Sequence, residues 1–372
     1  MSEPPLRLAF LADPRSVHTR RWLEFFAERG HRVALMLADD RPEAALDSRI
    51  EVHRYRRFGP RRIPFFSSLQ GRGALRRLLH ELRPEILHAQ YVSQYGWQAR
   101  RSGFEPYVAT AWGSDLLLDP GRSLRARFWA GQVLSHAALV TVPSEHLVGV
   151  ARRLGAPEDR LHRIPFGVDT RAFVPSDDRE ALEQAGLGER PIVFSPRAIR
   201  PLYRQETVLY AVASLPRQVT LVMTGRNADP GYLAHLRATA AELGMGQRLR
   251  VIGDIGPELM TNLFQAADVV VSVPESDGLP ISVLEAMACG VPVVSSDLPG
   301  PREALGDSAE RLLVPVADAT ALAGAIDRVL GLSTEERREL GVALRQRAMQ
   351  EFDFRTCMEQ MERLYFSIRK AA

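Results

Sequence analysis

Short apolar runs rich in β-branched residues alternate with amphipathic segments of helix length along the chain. This alternation is typical of parallel sheets covered by helices. A stretch rich in Pro, Gly and Asp at 163–180 interrupts the rhythm, which then restarts. The pattern therefore predicts two doubly wound α/β domains, followed by a helix over 352–368. The predicted strands cover 6–12, 31–37, 85–90, 107–112, 138–143, 191–196, 219–225, 248–254, 268–274 and 291–297.

The composition indicates a globular, water-soluble chain. Of the 372 residues, 45% are hydrophobic and 25% are charged, and no apolar run is long enough to cross a bilayer. The N-terminal residues lead almost directly into a strand, which argues against a signal peptide. The two cysteines, Cys289 and Cys357, lie far apart and outside any metal-ligand spacing. We therefore expect a cytoplasmic location.

Basic residues are concentrated in the first half of the chain. Residues 1–170 carry 26 Arg against 18 acidic residues, a net charge of +8. The segment Arg54–Arg77 holds eight Arg and four aromatic residues, and no acidic residue lies between Val52 and His80. Such a segment suits the anionic inner face of a membrane, single-stranded nucleic acid, or simply a basic loop. Because nothing else indicates nucleic acid, we expect none as a partner.

The segment 268–300 carries the most informative pattern. A buried-looking strand leads into the polar turn 275–280, which opens a helix that ends at Gly290. Gly278 and Pro280 suit a sharp turn and a first helical turn. Because free N–H groups and the helix dipole attract anions, this helix start is a candidate phosphate site.

Two carboxylates flank that turn, with seven residues between Asp277 and Glu285. Asp277 could reach a sugar hydroxyl, and Glu285 could accept hydrogen bonds from a ribose diol. Two carboxylates beside an anion site would weaken phosphate binding unless each accepts a hydrogen bond from a hydroxyl group of the ligand. The spacing therefore favours a sugar–phosphate–ribose ligand. The alternative is a plain loop followed by a solvated helix residue.

The run LEAMACGVPVVSSDLPG (284–300) resembles the donor motif of the retaining glycosyltransferase family 4, which has the GT-B fold. This resemblance implies two Rossmann-like domains facing across a cleft: an acceptor domain, 1–170, joined by the C-terminal helix 352–372, and a donor domain, 171–351. The family motif begins with Glu where this chain has Asp277. Aspartate is one methylene shorter, so the donor sugar could differ, and Glu275 is an alternative carboxylate.

The resemblance also implies further donor contacts. Arg197 matches the family's diphosphate-binding Arg, and Leu202 stands where the family has a Lys. Arg200 or Arg204 could supply that second charge, or both could be ordinary surface residues. The remaining implied donor residues are Gly225, Gly253, Asp254, Ile255, Gly278, Leu279, Pro280, Ile281 and Ser282.

Candidate acceptor residues follow two strands of the first half. Asp13, Ser16 and His18 lie at a helix start, where Ser16 or Asp13 could be a plain N-cap. Ser114 and Asp115 follow another strand, at the edge where ligands collect in open sheets. The neighbouring Trp112 could stack on a sugar or belong to the core. His88 is interpreted as a packed histidine.

As catalytic groups we expect Arg197, Asp277 and Glu285, acting on a nucleotide-sugar donor and a glycan, lipid-linked or other hydroxylated acceptor. The resemblance implies retention at the anomeric carbon, with no cofactor and no metal. Two alternatives stay open at this point. One is a nucleotide-sugar 2-epimerase of the same fold, and the other is a non-catalytic nucleotide-sugar or interaction protein.

Overall fold

The computed structural model describes residues 3–38, 46–55, 64–176, 187, 191–225, 227–253 and 256–371. Within them the chain divides into two compact units. The first comprises Met1–Phe166 and Cys357–Ala372, and the second comprises Gly167–Thr356. The sequence placed these divisions at residues 170 and 352.

The first unit is built on a parallel sheet in the order β3-β2-β1-β4-β5-β6-β7. Its strands are β1 (Arg7–Leu11), β2 (Arg32–Ala38), β3 (Ile50–Tyr55), β4 (Ile86–Gln90), β5 (Tyr107–Thr110), β6 (Leu139–Val142) and β7 (Leu161–Arg163). The helices are α1 (Val17–Glu28), α2 (Pro64–Leu82), α3 (Trp97–Ser102), α4 (Ser114–Leu117), α5 (Leu124–His136) and α6 (Glu145–Arg153).

The strand order of the first unit reverses between β1 and β4, which are direct neighbours. In open α/β sheets, ligands collect beyond the carboxyl ends of the strands at such a switch point. The central strands are buried along their whole length because helices cover both faces of a parallel sheet. This explains why they appear in the sequence as continuous apolar runs.

The C-terminal helix packs against the sheet of the first unit through the residues beyond Cys357. Met358, Met361 and Tyr365 are fully buried, as their helical spacing predicted. The Tyr365 hydroxyl contacts Nδ1 of His88, and Nε2 of His88 lies 2.6 Å from Oγ1 of Thr110. His88 is thus a packed core histidine, and burial lowers its pKa to about 3.

A second polar contact holds the same helix. Glu362 accepts hydrogen bonds of 2.7 Å from Nε of Arg29 and 2.8 Å from Nε2 of His31. Nδ1 of His31 accepts from the backbone N–H of Leu6 at 2.9 Å. Burial raises the pKa of Glu362, but these two partners outweigh burial and lower it below its ordinary value. The helix is therefore fixed by an ionised carboxylate as well as by apolar packing.

The second unit has a parallel sheet in the order β10-β9-β8-β11-β12-β13. Its strands are β8 (Ile192–Ser195), β9 (Thr220–Thr224), β10 (Leu249–Ile252), β11 (Val269–Ser272), β12 (Val293–Ser296) and β13 (Leu313–Val314). The helices are α7 (Gln205–Ala213), α8 (Pro230–Glu242), α9 (Pro257–Ala266), α10 (Ile281–Ala288), α11 (Pro299–Leu305), α12 (Ala309–Leu312), α13 (Ala319–Leu330), α14 (Thr334–Glu351) and α15 (Phe354–Ala371), whose last part belongs to the first unit.

All ten predicted strands are present, and the predicted two-sheet α/β class is confirmed. The additional strands β3, β7 and β13 lie at sheet edges or are only two or three residues long. Edge and short strands lack the continuous apolar run that marks a central strand. In the second sheet the order reverses between β8 and β11, so the loops after these two strands meet at the switch point.

Candidate active site

The loop after β8 is fixed by its own polar side chains. Ser195, the last residue of the strand, donates a 2.7 Å hydrogen bond to Oε1 of Gln205, and Nε2 of Gln205 donates to the carbonyl of Arg197 at 2.8 Å. Gln205 is fully buried at the start of α7. The backbone of Arg197 is therefore held before any ligand binds.

The side chain of Arg197 joins the loops after β8 and β11. Its Nη2 lies 2.9 Å from Oδ2 of Asp277, and its Nη1 lies 3.4 Å from Oγ of Ser282, in the first turn of α10. The guanidinium carbon lies 4.3 Å from the centre of the Tyr203 ring. Both ion-pair partners are largely buried, with 16% and 13% of their side chains exposed.

This environment keeps Arg197 charged. Burial lowers the pKa of the guanidinium, but the carboxylate of Asp277 and the Tyr203 hydroxyl more than offset this and raise it. A fixed cation with several N–H donors is thus directed towards the start of a helix. That combination suits a phosphate or diphosphate group.

The start of α10 has no side-chain cap. Pro280 precedes α10, has no side-chain donor or acceptor, and no side-chain hydrogen bond caps the helix. Gly278, Leu279, Pro280 and Ser282 are buried, and Ile281 is half-buried. The first N–H groups of a helix need partners from outside it, and an anion can provide them.

Glu285 is half-buried in the second turn of α10. The helix therefore carries a carboxylate one turn beyond its start, and the loop before it carries Asp277. The structure brings Arg197, Asp277 and Ser282 into direct contact and places Glu285 on the same short helix. The roles predicted for Asp277 and Glu285 towards sugar and ribose stay predictions.

Close backbone packing fixes the turn before α10. Gly300, in α11, lies against it, and a Cβ atom at Gly300 would be 2.2 Å from the carbonyl oxygen of Gly278. No side chain fits there without a backbone shift. The turn before α10 and the first turn of α11 are thus in contact.

Gly225 follows β9 and is half-buried, and its N–H donates to the carbonyl of Ile252 at 2.6 Å. Thr224 links this strand end to the loop of Arg197, because its hydroxyl donates to the carbonyl of Pro196 at 3.1 Å. Gly253 follows β10 and is exposed. Asp254 and Ile255, also predicted as donor residues, lie outside the described residues.

The predicted second cation is engaged with acidic partners. Arg204 adopts a left-handed backbone conformation, with φ +48°. Its guanidinium contacts Glu275 and lies 3.5 Å from Glu206. Glu275 is therefore an ion-pair partner of Arg204 in this structure. Arg200 instead donates to the carbonyl of Asn227 at 2.9 Å.

In the first unit, Ser16 is the N-cap of α1, and its hydroxyl accepts from the N–H of Thr19 at 3.4 Å. Asp13 forms two hydrogen bonds with the guanidinium of Arg15, at 2.7 and 3.0 Å. These contacts agree with the N-cap alternative for Ser16. They also give Asp13 a local ion-pair partner, while its role towards an acceptor stays a prediction.

His18 belongs to an aromatic cluster with Trp112 and Phe166. The centre of its ring lies 6.0 Å from Trp112 and 6.3 Å from Phe166, and Trp112 lies 5.1 Å from Phe166. Trp112 is half-buried, and its indole N–H is buried without a hydrogen-bond partner among the described residues. The indole ring thus packs within the aromatic cluster, and its N–H group makes no hydrogen bond to the described residues.

Asp115 is fully buried and shapes the loop after β5. Its carboxylate accepts from the backbone N–H groups of Val92, Trp112 and Gly113 at 2.7–2.9 Å. Burial raises its pKa to about 6, although these hydrogen bonds favour the ionised form. Because the Asp115 carboxylate accepts three backbone hydrogen bonds, it positions the neighbouring residues. Ser114, half-buried beside it, lies 3.0 Å from the Tyr91 hydroxyl.

Two further features bear on the predicted partners. No group of three or more His, Cys, Asp and Glu side chains that could hold a metal ion occurs in the described part of the chain. Among the described helices, none is long and apolar enough to cross a membrane. The basic segment 54–77 lies largely outside the residues whose side chains are described.

Two parallel α/β units, one with a cation and an uncapped helix start at its switch point, have the architecture that the GT-B resemblance implied. Residues 177–347 match the family described as Glycosyl transferases group 1, and residues 7–144 match the Glycosyl transferase 4-like family. The chain therefore belongs to the GT-B glycosyltransferases of family 4, as the resemblance of its donor motif predicted.

Curated relatives agree with this assignment. The chain is 28% identical over 311 residues to D-inositol 3-phosphate glycosyltransferase of Jonesia denitrificans, covering 77% of this chain and 73% of that protein. It is 29% identical to a GDP-mannose-dependent alpha-(1-6)-phosphatidylinositol monomannoside mannosyltransferase of Mycolicibacterium smegmatis, covering 73% of each. A Geodermatophilus obscurus relative, also named D-inositol 3-phosphate glycosyltransferase, is 30% identical, over 69% of this chain and 62% of its own length.

Solved structures share the fold across nearly the whole chain. Sucrose-phosphate synthase of Thermosynechococcus elongatus superposes with a TM-score of 0.83 at 24% identity, covering 98% of this chain and 99% of that one. Anabaena HepE in complex with UDP and glucose has a TM-score of 0.82 at 19% identity, covering 97% and 100%. At these identities the similarity establishes the fold alone.

Proposed function

We propose that this glycosyltransferase is a retaining enzyme that transfers a sugar from a UDP- or GDP-sugar to a hydroxyl group of a phosphorylated or lipid-linked acceptor. The observation that carries the proposal is the contact of Arg197 with both Asp277 and Ser282 at the uncapped start of α10. These residues bring a cation, hydroxyl and carboxylate groups, and helix N–H groups to one switch point.

The donor diphosphate would occupy the helix start. Its negative charge would be shared between the guanidinium of Arg197 and the first N–H groups of α10. Glu285 would accept hydrogen bonds from the ribose diol, and Asp277 would accept one from a sugar hydroxyl. Asp277 forms an ion pair with Arg197, so the incoming diphosphate must share or replace that carboxylate.

Transfer breaks the bond between the anomeric carbon and the leaving phosphate oxygen. Negative charge then develops on the diphosphate, where a fixed guanidinium stabilises the transition state more than the ground state. The acceptor hydroxyl attacks from the same face and gives its proton to the leaving phosphate, so that the anomeric configuration is retained. This step requires no nucleophile from the protein.

Arg197 and the helix start supply positive charge to the leaving group, and Arg204 would add to it after releasing Glu275. For this reason we propose that transfer proceeds without a metal ion or cofactor. A chelator should then leave the transfer rate unchanged. Loss of activity with chelator, and its recovery with added magnesium or manganese ions, would contradict this part of the proposal.

The acceptor class is proposed from the relatives and the charge of the first half of the chain. Relatives named for D-inositol 3-phosphate recur among the similar proteins, and one relative is named for phosphatidylinositol monomannoside. A net charge of +8 in residues 1–170 suits such anionic acceptors. The matches favour neither the 2-epimerase nor the non-catalytic alternative. Cytoplasmic location and membrane contact through residues 54–77 stay predictions.

The decisive experiment is calorimetric titration of UDP and GDP, without metal, into wild type and Glu285→Ala. We expect one nucleotide to bind the wild type and to bind the variant at least tenfold more weakly, because a ribose hydrogen-bond acceptor of about 1.5–3 kcal/mol is lost. Glu339→Ala is the matched control, since Glu339 is exposed on α14 and should leave binding unchanged.

A panel of sugar conjugates of the bound nucleotide then identifies the donor. The anomeric configuration of the product, read by nuclear magnetic resonance, tests retention. Inversion would reject the retaining mechanism while leaving the donor site intact. If neither nucleotide binds the wild type, the donor site is wrong. Equal binding by wild type and Glu285→Ala would remove the proposed role of Glu285 only.

A further inference from the structure

The beginning of α5 carries an exposed surface of apolar and basic side chains. Leu124 is 89% exposed, the largest value for a large apolar side chain in the described part of the chain, and Phe128 is 57% exposed. They are four residues apart and so lie on one helix face. We name this surface the α5 patch, defined as Leu124, Arg125, Arg127 and Phe128 of α5 together with Leu118 and Arg122 of the segment before it.

Tryptophan rings support the patch from the side. Phe128 contacts Trp129, with ring centres 5.1 Å apart, and Trp129 contacts Trp97 of α3 at 4.0 Å. The guanidinium of Arg101 lies 5.6 Å from the Trp97 ring. Both tryptophans are half-buried. Rings of this kind, partly buried and flanked by arginine, are typical of the boundary between lipid headgroups and acyl chains.

The charge of this stretch of chain is mainly positive. Between Leu116 and Ser144 the sequence contains three arginines and a single acid, Asp119. That acid is already within 3.4 Å of Nη1 of Arg122. An exposed leucine and phenylalanine surrounded by arginines match an anionic bilayer, where apolar side chains enter the interface and arginines meet phosphate groups.

We propose that the α5 patch is a contact site for an anionic membrane surface. In the sequence it lies outside the basic segment 54–77, and it requires no membrane-spanning helix. Binding of the α5 patch to the bilayer does not depend on which sugar is transferred.

A hydrogen-bond chain connects the patch with a predicted acceptor residue. Asp119 accepts from Ser93 at 2.6 Å and lies 3.4 Å from the Tyr91 hydroxyl, which in turn lies 3.0 Å from Oγ of Ser114. Ser114 follows β5 at the carboxyl edge of the first sheet. A lipid-linked acceptor in the bilayer would therefore be presented beside that edge, an extension that rests on the proposed function.

The test is sedimentation of the full chain with vesicles of equal parts phosphatidylcholine and phosphatidylglycerol, and with vesicles of phosphatidylcholine alone. We expect binding to the anionic vesicles, weakened by salt. The double variant Leu124→Ser with Phe128→Ser should bind roughly tenfold more weakly, because two apolar side chains no longer enter the interface. Brominated lipid should quench tryptophan fluorescence of the wild type more than that of the variant.

The matched control is Val342→Ser with Met349→Ser, two exposed apolar side chains of α14 that are 45% and 49% exposed. It should bind vesicles like the wild type. Nucleotide titration of the α5 double variant separates the two proposals, since donor binding should be unchanged.

Three outcomes would overturn the membrane proposal. The first is a wild type that ignores anionic vesicles. The second is a double variant that binds them equally well, which would direct attention to residues 54–77. The third is self-association of the wild type without lipid, measured by light scattering, that the double variant does not show. The patch would then bind a second copy of the chain.

Discussion

Gly300 gives the sharpest test of the donor loop, because its substitution acts on that loop through backbone alone. A Cβ atom at Gly300 would lie 2.2 Å from the carbonyl oxygen and 2.8 Å from the carbonyl carbon of Gly278. Contacts of real Cβ atoms essentially never fall below 3.0 Å. In Gly300→Ala, α11 and the turn before α10 must therefore separate by about 0.8 Å or more.

The displaced turn lies directly between Asp277 and the start of α10. A misplacement of about 1 Å in a site that positions reacting groups can lower the rate on the order of 100-fold. We therefore expect Gly300→Ala to reduce kcat/KM for donor by roughly 10- to 100-fold. The overpacking should also lower the free energy of unfolding by about 1–3 kcal/mol. Nucleotide titration, transfer kinetics and denaturant unfolding measure these three quantities.

Gly324→Ala is the matched control in the same unit. Gly324 lies within α13, and the nearest atom to an added Cβ is the flexible end of Arg328, at 3.6 Å. Alanine should stabilise this helix by up to about 1 kcal/mol and leave transfer unchanged. If Gly300→Ala folds, binds nucleotide and transfers sugar like the wild type, the turn before α10 does not position the donor.

Two further predictions concern the first unit. Asp115→Asn should lower the free energy of unfolding by about 1–3 kcal/mol, because an amide has one oxygen where the carboxylate accepts three backbone N–H groups; denaturant unfolding measures this, and an unchanged midpoint would contradict it. His88 has its pKa lowered by burial from 6.5 to about 3, so the unfolded chain binds the extra proton and stability falls as pH drops below 6.5. From pH 7 to pH 5 this amounts to about 2 kcal/mol. His88→Gln should show a smaller loss over the same pH range, and an equal loss would assign it to other groups.

The pattern of apolar runs was sufficient to predict both sheets, since central strands of a parallel sheet are buried on both faces. It gave no signal for β7 or β13, which are three and two residues long. The same limit applies to the candidate site. Asp277 and Glu285 stood out by their spacing within a specific motif, and Arg197 stood out only through the family resemblance. Neither Tyr203 beneath the guanidinium nor Gln205 behind its loop carries a sequence signal of that kind.

Sequence reasoning could not predict which groups each polar side chain contacts. Arg204 is a plausible phosphate-binding cation by position, yet its nearest groups are Glu275 and Glu206. Asp115 follows a strand in the place of a ligand contact, yet its carboxylate is buried against three backbone N–H groups. The sequence is the same whether such a residue binds a ligand or pairs within the protein, because its exposure and its partners depend on elements distant in sequence.

The sequence by itself thus determined the two α/β units, the positions of ten of the thirteen described strands, and the donor motif, because each of these depends on local periodicity and on residues close together in the chain. Tertiary structure decided which charges pair, which polar groups are buried, and that an apolar and basic face of α5 is left exposed. Those properties arise from contacts across the sheet order and between loops of different strands, where neighbours in space are separated by tens of residues.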